Sequence, residues 1–121
     1  MASRTFRSTG AVPFTVGSVN GKELTDDSYY DASCFGSVVS LSASVQLNSG
    51  GASSGWVTVG TIPTAYKPKK PILTLGFYYT GQGTHSTYPV RLTSPASGSG
   101  SLQIMALPND LPVMFNVTYQ I

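Results

Sequence analysis

A chain of 121 residues has room for one domain, and a domain of this size buries roughly two-thirds of its unfolded surface. Hydrophobic residues make up 40% of it but charged ones only 10%, against about a quarter in ordinary soluble domains. The net charge of +2 is scattered, with only Lys67, Lys69 and Lys70 clustered around Pro68; that is too few phosphate contacts on one face for a nucleic-acid surface.

The polar remainder is Ser, Thr, Gly and Asn, with 13 Gly and 8 Pro. These residues compete with helical hydrogen bonds or cannot hold helical dihedrals, so the composition leans all-β. The single cysteine, Cys34, has no partner for an intramolecular disulfide and reads as a small buried hydrophobe. No apolar run approaches the roughly 18 residues of a membrane span, and Met1–Gly10 is too polar for a signal peptide. The expectation is a soluble chain assembled in a cytosol, without membrane insertion.

Along the chain, residues 1–37 are the less regular part. Phe14 and Val16 suggest a short strand, and Gly21–Phe35, which carries four of the five acids and the pair Tyr29 and Tyr30, accommodates one short helix or an ordered loop. This segment reads as part of the same domain as residues 38–121. From Val39 the apolar residues fall on every second position, Leu41, Ala43, Val45 and Leu47, with Ser40, Ser42, Ser44 and Gln46 between them, the signature of a half-buried strand. Val57 and Val59 mark a shorter strand after Trp56. The alternation returns at Leu73, Leu75 and Phe77, at Tyr88, Val90 and Leu92, at Leu102, Ile104 and Ala106, and over Val113, Phe115, Val117, Tyr119 and Ile121. By this phase Phe77 and Tyr88 point into the core, and Tyr79 with them.

Breakers fall between these runs, at Asn48–Gly55, Pro63–Pro71, Thr80–Ser86, Ser94–Gly100 and Pro108–Pro112. The Ser/Gly stretches Asn48–Gly55 and Ser97–Ser101 read as flexible loop tips. Six strands in so short a span leave no space for crossover helices, so the sheets are expected to be antiparallel, in a β-sandwich of jelly-roll type.

The residues give little support to an enzyme. His85 is the only histidine, and there is no Gly-x-Ser-x-Gly elbow, phosphate-cradling loop or thiolate cluster; no cofactor and no metal is called for. Glu23, Asp26, Asp27 and Asp31 read as a solvated, turn-forming stretch rather than as the carboxylate pair of a glycosidase, and they lack the order of a dedicated calcium loop. Asn116-Val117-Thr118 is a sequon by chance, on the polar face of the last strand. Trp56 reads as a packed or subunit-contact residue.

A binding surface fits better. Tyr78, Tyr79, Gln82, His85 and Tyr88 flank the Thr80–Ser86 loop, where aromatic faces beside amide and imidazole groups suit sugars. The stretch with Tyr29, Tyr30 and Asp31 is the second candidate.

The run Gly55-Trp56-Val57-Thr58-Val59-Gly60-Thr61-Ile62-Pro63-Thr64-Ala65-Tyr66-Lys67-Pro68 resembles a signature of the C-terminal head domains of bacteriophage tail-fibre, baseplate and receptor-binding proteins, a strand followed by Leu/Ile-Pro-x-Gly-Tyr-Arg-Pro. Here Pro63 ends the strand by removing a ladder donor, Pro68 stiffens the exit, and Tyr66 is set to cover the core edge. The resemblance extends over Val38–Ile121, departing from the pattern at Ala65, where Gly is common, and Lys67, where Arg is common. It implies a jelly-roll homotrimer of the virion, at the distal tail fibre or baseplate, assembled in the bacterial cytoplasm and held by other tail proteins, that binds a host cell-surface saccharide or protein. The alternative it leaves open is a structural virion component, a trimerisation cap or a baseplate or capsid decoration protein, without receptor binding.

Overall fold

A computed structural model describes residues 8–11, 18–19, 22–79, 83 and 85–121. Eleven strands are described: β1 (Ser8–Ala11), β2 (Ser18–Val19), β3 (Lys22–Leu24), β4 (Tyr29–Phe35), β5 (Val38–Val45), β6 (Leu47–Ser49), β7 (Trp56–Ile62), β8 (Ile72–Tyr79), β9 (His85–Leu92), β10 (Gly100–Met105) and β11 (Val113–Gln120). The only helical element among the described residues is a 3₁₀ turn at Thr64–Tyr66. Phe14 and Val16 lie outside the described residues. Where a short helix or loop was expected before Phe35, the chain makes β4 instead. β4 pairs along its whole length with β5, from Tyr29 opposite Ser44 to Phe35 opposite Val38, through a tight turn at Gly36 and Ser37. Gly36 sits at φ +64°, where a side chain would be strained.

Eight strands form one sheet in the order β1-β4-β5-β11-β8-β9-β10-β7, and β2-β3-β6 form a second, smaller one; every named pairing is antiparallel. The large sheet is curled. β4 and β7 lie near its opposite ends, yet the Tyr30 hydroxyl on β4 donates to the Val59 carbonyl on β7. Gly60 makes room for this contact, since a Cβ there would lie 2.9 Å from the Tyr30 oxygen.

The curl encloses one core. Val39, Leu41, Ala43, Val45 and Leu47 are buried, as are Val57 and Val59, Val90 and Leu92, Leu102 and Ile104, and Val113, Phe115 and Tyr119. Cys34 is buried among them. The Pro63–Pro68 connection caps one edge: Tyr66 packs on the core, and its carbonyl accepts from the Tyr119 hydroxyl at 2.8 Å. Asn48–Gly55, expected as a flexible tip, is tied to the chain before β11. Gly51 N donates to Asn109 Oδ1 (2.9 Å), Ala52 N to the Leu107 carbonyl (2.9 Å), and Ala106 N to the Gly55 carbonyl (2.7 Å).

β8 departs from expectation. Its apolar phase, Leu73, Leu75 and Phe77, faces outward; Leu73 is 72% exposed, and Leu75 and Phe77 about half. The inward phase holds Ile72, Thr74, the buried Gly76 and Tyr78 instead, and at Gly76 the backbone runs close to its neighbours. A Cβ on Gly76 would lie 2.6 Å from Val113 Cγ1 and 3.2 Å from Val90 Cγ2. Gly76→Ala is therefore expected to overpack this contact and to cost about 1–3 kcal/mol, read as a lower urea midpoint at unchanged slope. Leu102→Ala is expected to cost about 2–5 kcal/mol by leaving a cavity.

Candidate attachment surfaces

The two stretches singled out in the sequence fare differently. In the β8–β9 hairpin, Tyr78 pairs with Ser86, Tyr79 with His85, and Gly76 with Tyr88. Tyr78 and Tyr88 are half-buried on the inward phase, Tyr88 against the core, whereas His85 is exposed on the opposite phase, in line with Thr87, Pro89 and Arg91. Gln82 and the Tyr79 side chain lie outside the described part. Among the described residues the hairpin thus separates His85 from the tyrosines Tyr78 and Tyr88, since successive residues of a strand point to opposite faces. Of the aromatic residues expected inward, Tyr88 does face the core and Phe77 does not.

On β4 the pleat divides the second candidate group. Tyr30 faces inward, and its hydroxyl holds the curl; burial pushes its pKa well above the ordinary phenol value of 10.0. Tyr29 and Asp31 face outward with Ser33 and Phe35, all exposed. The same pleat sets Ser40, Ser42 and Ser44 of β5 and Asn116 and Thr118 of β11 on this outer face. Asp31 lies opposite Ser42, which lies opposite Asn116; Ser33 lies opposite Ser40, which lies opposite Thr118. Together they line a hollow of about 310 Å³ over three strands. Among the described residues no hydrogen bond to another side chain or to the backbone outside the strands engages these polar side chains.

Next to it on the same face, Leu73, Leu75 and Phe77 of β8 and Met114 of β11 form an apolar stripe, with Met114 55% exposed. The two strands are joined in the ladder by one pair, Met114 with Phe77, whereas β11 pairs with β5 through all eight of its residues. Between Leu75, Phe77, Met114 and Asn116 the surface dips into a hollow of about 520 Å³. Beyond the stripe, Arg91 stacks 4.2 Å over the Trp56 ring and bonds Gln103, which reaches Thr58 Oγ1 at 3.0 Å. Trp56 is thereby packed within its own chain.

Sequence reasoning missed the stripe because hydrophobicity alone assigned Leu73, Leu75 and Phe77 to the core. The available signal was Gly76, since a glycine within a strand marks close backbone approach and so the inward phase. It missed the polar hollow because β4 was not read as a strand beside Ser40 and Ser42, and because Asn116 and Thr118 come from a strand distant in sequence.

No family model, curated protein or solved structure matches this chain. The candidate surfaces therefore rest on their own chemistry.

The raised phenol of Tyr30, and that of Tyr119, raised by burial and then by Cys34, have a thermodynamic consequence. A folded-state pKa above the unfolded one gives stability that is complete below pH 10.0 and lost as pH rises through the folded value. The unfolding free energy is expected to fall as pH is raised above 10, and the Tyr30→Phe, Tyr119→Phe double variant to flatten that fall. At neutral pH, Tyr30→Phe leaves the Val59 carbonyl without its donor and is expected to cost about 1–3 kcal/mol, measured by denaturant unfolding.

Proposed function

We propose that this chain is an attachment domain of a bacteriophage tail fibre or baseplate, of jelly-roll type, that works as a homotrimer and holds a host cell-surface saccharide without changing it covalently. The observation that carries the reading is the apolar stripe of Leu73, Leu75, Phe77 and Met114 on a chain whose core is already filled. A contiguous exposed apolar patch marks an interaction surface. The chain has few charges to desolvate when copies press together, which favours a partner of the same kind. A closed threefold ring of such contacts presents three identical binding surfaces, and multivalency then turns weak contacts into firm adhesion.

The magnitudes bear on how firmly the ring holds. Covering a half-exposed Leu, Phe or Met contributes about 1–2 kcal/mol. Association costs roughly 4–15 kcal/mol of translational and rotational freedom. The balance is close enough for one charge to tip it.

The stripe also suits a purely structural virion component, a cap or decoration protein. The two readings part on adhesion. The purified chain is expected to run as a trimer in light scattering, and Leu75→Asp to shift it towards monomer with the fold retained by circular dichroism. The trimer is expected to coat host cells and to compete with virions for them, and the monomeric variant to lose at least tenfold in competition through lost avidity. A wild-type monomer would overturn the assembly; a trimer that leaves adsorption untouched would favour the structural component.

A further inference from the structure

We infer that the outer face of β4, β5 and β11 is a binding track for an extended neutral glycan, laid along β4 from Tyr29 to Phe35. This rests on the attachment reading and assigns its ligand chemistry to a surface distinct from the β8–β9 hairpin.

The lining is matched to sugars in kind. Among the described residues Asp31 is the one ionisable group of the hollow; the remaining polar side chains there are Ser33, Ser40, Ser42, Asn116 and Thr118. A carboxylate accepts from two adjacent hydroxyls of a sugar ring, an amide both donates and accepts, and a hydroxyl turns to do either. Hydrogen bonds to a charged acceptor are the stronger ones. No cation among the described residues is paired with Asp31, so its acceptor capacity is open to a ligand. The same carboxylate works against phosphate-bearing or acidic polymers, since none of the described residues lining the hollow is positively charged.

Shape points the same way. Serine and threonine are short, so a shallow trough lies between the longer residues at its ends. Tyr29 is 44% and Phe35 47% exposed, on the same phase of β4 as Asp31 and Ser33. Six residues of strand separate them by about 20 Å, a distance of several sugar rings. The exposed ring of Tyr29 can stack on the C–H patch of a terminal sugar while the centre is hydrogen-bonded. All these groups stand on paired strands, so little ordering is lost on binding.

The test is a nuclear magnetic resonance titration of the isotope-labelled chain with maltohexaose, mannohexaose and N-acetylchitohexaose, each beside its trisaccharide, with a glycerol phosphate oligomer as the acidic control. At least one neutral hexasaccharide is expected to shift the amides of residues 29–35, 40–44 and 114–120, more tightly than its trisaccharide, and the phosphate oligomer to shift none of them. Asp31→Asn, which keeps shape and removes charge, is expected to weaken that binding about tenfold. Tyr29→Ala is expected to weaken the hexasaccharide and spare the trisaccharide. Both variants sit on the surface and should keep the wild-type circular dichroism spectrum.

Shifts confined to the β8–β9 hairpin, binding of the phosphate oligomer alone, or no response to any of the neutral sugars would overturn the track. Adhesion of the wild-type chain to host cells is measured alongside. If cells are bound while Asp31→Asn and Tyr29→Ala adhere as the wild type does, the track fails and the attachment reading stands. If neither cells nor sugars are bound, both fall.

Discussion

The close approach at Gly76 sets the character of the whole outer surface. β8 lies between β9 and β11, and at this point Val90 and Val113 leave no space for a side chain. The strand must therefore turn its glycine inward, and strict alternation sends Leu73, Leu75 and Phe77 outward. A slip by one residue would bury three large apolar side chains, but it would drive them into the valines of a core already packed. The slip would also turn Ile72 and Tyr78 outward, so the observed facing keeps those two inside and leaves the apolar stripe outside.

The fold was legible where one phase of a strand is plainly apolar and the other plainly polar. β5 and β11 read correctly because Val39 to Val45 and Val113 to Tyr119 alternate with Ser, Asn, Thr and Gln, and the structure buries the apolar members, with Val117 only half-buried. β8 was legible as a strand but not in its facing, because its inward phase is chosen by steric fit to neighbours remote in sequence. β4 was not legible as a strand. Tyr29-Tyr30-Asp31-Ala32-Ser33-Cys34-Phe35 has aromatic residues on both phases and small residues among its core members, so its period is visible only once Ala32 and Cys34 are seen opposite Leu41 and Val39.

The candidate surface was legible in part for the same reason. Asp31 and Tyr29 could be named from composition, but Tyr30, their neighbour, could not be told apart from them until the curl gave its hydroxyl the Val59 carbonyl as a partner. The two tyrosines differ by one position and by the whole thickness of the sheet. Ser40, Ser42, Asn116 and Thr118 are individually unremarkable strand residues; only the register of β4 on β5 and of β5 on β11 lines them up across three strands.

β11 joins the two outer surfaces. Along a single phase it contributes Met114 to the apolar stripe and Asn116 and Thr118 to the polar hollow. Assembly through the stripe would bring the edge of a neighbouring copy up to Met114 and leave the hollow beside the seam, where three copies would present their tracks around one axis. A single weakly held glycan would then be enough to raise the local concentration of the next site. An arrangement of this kind asks little of each site, which accords with a surface of short hydroxyl side chains and one carboxylate rather than a deep enclosed pocket.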